Sequence, residues 1–103
     1  MKPYKKYYNL NGQVAVLYSP GYGAGWYTWS NDEGMLYDDK IVAAVLNNDF
    51  ITAAKIAEEK YDAYAGGAND LKIYWMKPGT IFKINEYDGH ESIEILNRKM
   101  LIA

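Results

Sequence analysis

Strand-like stretches toward both ends of the chain, with two helical stripes between them, predict a single α+β domain. The expected architecture is a mostly antiparallel, twisted sheet of about five or six strands packed with two short helices from the middle of the chain. Three observations carry this reading. Asn11-Gly12 and Asp88-Gly89 are two-residue hairpin signals, because both central positions of a type I′ turn require positive φ. Ile41, Val42, Val45 and Leu46, and then Phe50, Ala53, Ala54, Ala57, Tyr61 and Tyr64, recur at helical spacing. No linker, repeat or low-complexity tract interrupts the 103 residues, a length that supports one modest core and not two.

Taken in order, residues 4–10 and 13–19 form the first expected hairpin, with Tyr7 opposite Val16 and Asn9 opposite Val14. Both faces are partly apolar, so the sheet is expected to be covered twice. Ser30-Asn31-Asp32-Glu33-Gly34 reads as a loop, and residues 26–29 fit either a short strand or an extended part of that loop. Asp38 is the expected N-cap of the first helix, which Asn47-Asn48 stops; Asp49 caps the second. Ala65-Gly66-Gly67-Ala68-Asn69-Asp70 ends the second helix, residues 71–76 resume strand alternation, and Lys77-Pro78-Gly79-Thr80 reads as a type II turn. Residues 81–87 and 90–96 make the second hairpin, pairing Ile84 with Ile93, Phe82 with Ile95 and Lys83 with Glu94. A last strand is expected at residues 99–102.

A formal charge of −2 gives no global pull toward nucleic acid or anionic membrane, and no direct sequence-specific nucleic-acid binding is expected. Lys2, Lys5 and Lys6 make the start of the chain locally basic; that stretch suits either a phosphate-bearing ligand or an edge strand protected by lysines. With no cysteine there is no disulfide framework, thiolate metal site or thiol nucleophile, which fits a reducing, cytoplasmic setting. The opening residues do not form a signal-type apolar region, and no apolar run nears the ~20 residues a membrane span needs. A soluble chain without membrane contact is expected. Eleven tyrosines and three tryptophans exceed what a core of this size uses, which favours binding over catalysis.

The richest candidate site follows the apolar run 14–18. In Ser19-Pro20-Gly21-Tyr22-Gly23-Ala24-Gly25-Trp26-Tyr27-Thr28-Trp29, three glycines free the backbone to approach a ligand, and Tyr22, Trp26, Tyr27 and Trp29 offer stacking faces. A dinucleotide fingerprint needs a third glycine where Trp26 stands, and a Walker loop needs a Gly-Lys-Ser/Thr ending that is absent. What remains is either an anion nest flanked by stacking rings or a tight structural turn with its aromatics in the core. Gly66, Gly67, Asn69 and Asp70 are a second candidate, either a ligand approach or a plain helix-to-strand link. At the second hairpin Glu86 faces Glu91 across the ladder, a like-charge conflict relieved either by a ligand or by both carboxylates splaying into water. No nucleophile or metal-ligand set accompanies them, and His90 is the only histidine; no catalytic residue, metal or cofactor is assigned.

Residues 13–29, Gly66-Gly67-Ala68-Asn69-Asp70-Leu71, Trp75 with Pro78-Gly79-Thr80, and Glu86-Tyr87-Asp88-Gly89 resemble an uncharacterised family of small proteins encoded by phages, prophages and their bacterial hosts. Members usually carry Ser after the Asp-Gly turn, where this chain has His90. The resemblance implies a phage-type accessory protein, and by analogy an antagonist of host defence. On that reading the expectation is a homo-oligomer that sequesters a nucleotide-derived signalling molecule through Ser19, Gly21, Tyr22, Gly23, Ala24, Gly25 and the rings of Trp26, Tyr27 or Trp29. Lysines such as Lys5, Lys6 or Lys72 would neutralise phosphate. The alternative is an inhibitor that covers a host defence protein with an aromatic surface. An enzyme acting on a nucleotide through Glu86, Asp88 or Glu91 is the least favoured of the three.

Overall fold

The computed structural model describes residues 3–21 and 25–96, which form an α+β domain. Strand β1, Val14–Tyr18, lies at its centre and leads into three helices: α1, Gly34–Tyr37; α2, Asp39–Leu46; and α3, Phe50–Tyr61. A 3-10 turn at Ala68–Asp70 precedes β2, Lys72–Met76, and the hairpin of β3, Phe82–Tyr87, with β4, His90–Ile95. The four strands pair as two antiparallel ladders, β1 with β2 and β3 with β4, where the sequence led us to expect one sheet of five or six. The strand expected at residues 99–102 lies outside the described residues.

The pattern of β1 explains the layering. Val14, Ala15, Val16 and Leu17 are all buried, and their side chains alternate between two cores. Ala15 and Leu17 join Trp26, Met35, Ile41, Val42, Ala53 and Ala57 on the helical side. Val14 and Val16 join Leu36 and Met76, against which Phe82, Ile84 and Ile93 of the hairpin pack. The central ladder is therefore covered on both faces, as the doubly apolar pattern implied.

The first expected hairpin is displaced by one residue. Tyr8 bridges Val14, Asn9 N–H donates to the Gln13 carbonyl, and Ala15 N–H donates to the Tyr7 carbonyl. The connection is thus the three residues Leu10, Asn11 and Gly12, with positive φ at Gly12 (+76°) and not at Asn11. The Asn9 side chain selects it, its Oδ1 accepting from both Asn11 N and Gln13 N. Beyond Tyr7 the chain leaves β1 altogether: Lys6 bridges Asp38, and the Lys5 carbonyl accepts from Asp39 N. The main partner of β1 is β2, with Val16 opposite Tyr74.

Both helix caps stand where expected. Asp38 accepts from Lys40 N, and Asp49 accepts from Thr52 N and the Thr52 hydroxyl. Helix α3 is shorter than its apolar stripe, because Asp62 turns left-handed (φ +52°); Tyr64 lies beyond the helix and is exposed. Helix α1 had no signal in the sequence. Residues 26–29 belong to a turn, closed by Ser30 and Asn31 N–H groups donating to the Tyr27 carbonyl. The second hairpin keeps its expected register, with Asp88 and Gly89 at φ +52° and +83°.

Asp38 also ties α2 to α3. Its buried carboxylate accepts from Lys60 Nζ at 2.7 Å and from the Tyr61 hydroxyl at 2.6 Å. Burial alone would push this carboxyl up, but those partners and Lys40 N–H hold it below its usual value. Burial and the Asp38 carboxylate push the Tyr61 phenol well up, and burial with the Glu33 charge pushes Tyr37 to about 12. The depressed Asp38 contributes stability that is present above about pH 4 and is lost as pH falls through its folded value. The raised phenols act in the opposite direction: their contribution is complete below about pH 10 and is lost as pH rises toward their folded values. Ultraviolet titration is expected to show Tyr37 and Tyr61 ionising only as the fold opens. Asp38→Asn is expected to cost about 2 kcal/mol in chemical denaturation and to let Tyr61 ionise earlier.

Candidate functional site

The candidate segments meet around one side chain. On β4, Glu91 shares its face with Ile93 and Ile95, so the pleat aims its carboxylate into the protein, where it is fully buried. Its Oε1 accepts from Ser19 N at 2.9 Å. Its Oε2 accepts from Trp26 N and Thr28 N, both at 2.9 Å, and from the Thr28 hydroxyl at 2.7 Å. Glu91 N–H in turn donates to the Ser19 carbonyl at 2.8 Å, which fastens the hairpin to the end of β1. Neither of the two ion pairs among the described residues includes Glu91. Its charge is met by backbone amides and a hydroxyl, the same chemistry an anion nest offers a phosphate.

The like-charge conflict at the hairpin is resolved by sending the two carboxylates apart. Glu86 is exposed and accepts from Gly89 N within the turn, while Glu91 faces inward. The expectation that both would splay into water therefore fails for Glu91.

The 66–70 link joins the same cluster. Ser19 Oγ donates to the Gly67 carbonyl at 2.9 Å, and Gly67 packs so closely that a Cβ there would lie 2.5 Å from the Gly25 carbonyl oxygen. Gly21 lies against the Asp70 carboxylate. Pro20, Gly21, Phe50, Asn69, Asp70 and Lys72 help to line a shallow groove of about 280 Å³. Tyr22, Gly23 and Ala24 lie outside the described residues.

The aromatic side chains divide between core and surface. Trp26 is fully buried, and its indole N–H donates to the Met35 carbonyl at 2.6 Å. Tyr27 is half-buried and touches both cores. Trp29 is 48% exposed and stacks on Tyr64, which is 61% exposed, with centroids 5.9 Å apart and planes inclined by 22°. The Trp29 ring packs against Gly25, and the hydroxyl end of the Tyr64 ring against Gly66. Sequence reasoning missed this pair because Tyr64 reads as the end of a helical stripe. It also missed the inward role of Glu91, although the shared parity of residues 91, 93 and 95 carried that signal.

No group of three or more His, Cys, Asp or Glu among the described residues could hold a metal ion, and no helix among them is long and apolar enough to cross a membrane.

Glu91→Gln replaces one acceptor oxygen with a donor that must face either the Ser19 N–H or the Trp26 and Thr28 N–H groups. It is expected to cost about 3 kcal/mol in denaturant melts and to speed hydrogen exchange at Trp26 and Thr28. Gly67→Ala presses on the Gly25 backbone, whereas Gly66→Ala presses on the far end of the Tyr64 side chain, which can shift, so the first is expected to destabilise more in the same melts. No family model, curated protein or solved structure matches the chain.

Proposed function

We propose that this chain is a non-enzymatic, phage-type accessory protein that antagonises a host defence by covering a protein surface with the Trp29–Tyr64 face. The observation that carries the reading is the pair itself: two large rings, exposed and stacked on each other, Trp29 against Gly25 beside the residues that Glu91 fixes and Tyr64 against Gly66 of the adjoining link. Tyr and Trp dominate interface hot spots because they bring large contact area at small entropic cost. A turn that is already ordered loses little freedom when a partner binds. The resemblance to small phage and prophage proteins supplies the setting, including a cytoplasmic site of action in the host.

Sequestration of a nucleotide-derived signal in the 19–25 segment is the competing proposal. It would need donors other than the amides of Ser19, Trp26 and Thr28, which Glu91 engages. A second copy of this chain would also suit the exposed rings.

In a host whose defence the chain suppresses, Trp29→Ala with Tyr64→Ala is expected to abolish suppression while leaving the melting temperature within a few degrees of wild type. The purified host target is expected to lose about 100-fold in affinity for that variant, as hot-spot truncations do. Full suppression by the folded double variant would overturn the proposal, as would a calorimetric titration in which a cyclic dinucleotide binds and the target does not.

A further inference from the structure

A second surface differs in chemistry from the ring pair. Where residues 3–5 cross the start of α2 and the end of α3, a hollow of about 420 Å³ is lined by Pro3, Tyr4, Lys5, Asp39, Lys40 and Lys60. In a chain of net charge −2, three lysines from three separate elements face one hollow. A fourth, Lys6, sits 4.5 Å over the Tyr37 ring, and that ring stacks on Tyr4 with centroids 6.1 Å apart and planes 15° apart. The negative groups of this region are Asp39 on the wall, Asp38 beneath it, and Asp32 and Glu33 in the neighbouring hollow that Tyr4 also lines. Asp38 is fully buried and holds Lys60 Nζ at 2.7 Å, which fixes one ammonium without covering it, since Lys60 keeps 30% of its side chain exposed. The wall of the hollow itself thus carries three lysines against one carboxylate, with Asp32 and Glu33 set beyond Tyr4.

We infer that this hollow is a binding site for a small phosphate-bearing molecule, with Lys5, Lys40 and Lys60 meeting the phosphate and the Tyr4 face flanking the rest of the ligand. Lysine is a compact point charge with rotatable donors, suited to a phosphate whose oxygens point in several directions. The volume accommodates a phosphate and one ring, within the range of small-molecule sites. Tyr4 is braced by Tyr37 and so offers a fixed stacking surface. This site is distinct from the Trp29–Tyr64 face and does not depend on it.

Titrations of the intact chain with adenosine 5′-monophosphate, inorganic pyrophosphate and adenosine, followed by amide chemical shifts, test the inference. Adenosine 5′-monophosphate is expected to shift Tyr4, Lys5, Lys40 and Lys60 with a Kd below about 1 mM, and to bind more weakly as salt rises. Lys5→Glu with Lys40→Glu, both at exposed positions, is expected to weaken binding at least tenfold, while Trp29→Ala leaves it unchanged. Pyrophosphate binding at the same residues supports recognition of the phosphate alone, and a further gain with adenosine 5′-monophosphate assigns the Tyr4 face to the ring. The inference is overturned if neither phosphate compound moves these residues at 10-fold the stated limit, if the charge-reversed variant binds as well as wild type, or if adenosine binds as tightly as its monophosphate.

Discussion

A carboxylate that leaves water must find a replacement for its hydration shell, and Glu91 finds it in one turn of chain. Three amides and a hydroxyl converge on its two oxygens, with no ion pair among the described residues to share the charge. The arrangement is reciprocal. Ser19, Trp26 and Thr28 are brought together by donors that must all reach one carboxylate, and the β3–β4 hairpin is fastened by the side chain that reaches in. Ser19 extends the constraint, since its N–H and carbonyl both engage Glu91 and its hydroxyl engages Gly67. Moving any one of these segments strands a buried polar group in the others, which is why the turn, the link and the hairpin behave as one unit.

Asp38 performs the related task for the helices with a different solution. It too is fully buried, but it has a cation, a phenol and an amide as partners, and it joins the N-cap of α2 to the last turn of α3. The strand β1 lies between the two anchored regions, with Ala15 and Leu17 facing the helical core and Val14 and Val16 facing the hairpin. Apolar burial supplies the bulk of the driving force in such a core and has no direction. Directional choice comes from the two carboxylates, each of which accepts only one arrangement of its donors.

Much of this was legible in local chemistry. Asp38 and Asp49 are caps because a short carboxylate can reach N–H groups that the first helical turn leaves unpaired, and that rule needs no tertiary information. Asp88-Gly89 set the whole β3–β4 register by an equally local rule, positive φ at both turn positions. Asn11-Gly12 did not, because it fits a two-residue and a three-residue connection alike; the Asn9 side chain decides between them, and a shift of one residue changes which face each side chain takes. The pairing of β1 with β2 joins Val14 to Met76, a separation that no local rule addresses. Within the site, glycine and aromatic content marked the right stretch of chain, but only tertiary placement separates buried Trp26 from exposed Trp29.

The amides of Ser19, Trp26 and Thr28 do gather on an anion, and the anion is the chain's own. Backbone at these three residues that would otherwise suit a phosphate is instead held in place by Glu91, and beside it Trp29 presents a ring outward. Rigidity of that kind has a thermodynamic use. A surface tryptophan on a flexible loop must give up both backbone and rotamer freedom on binding, at about 1–2 kcal/mol per residue ordered, whereas Trp29 lies on Gly25 and against Tyr64 before any partner arrives. The buried charge and the exposed rings are thus parts of one device: the first fixes the backbone on which the second can act as a preformed contact.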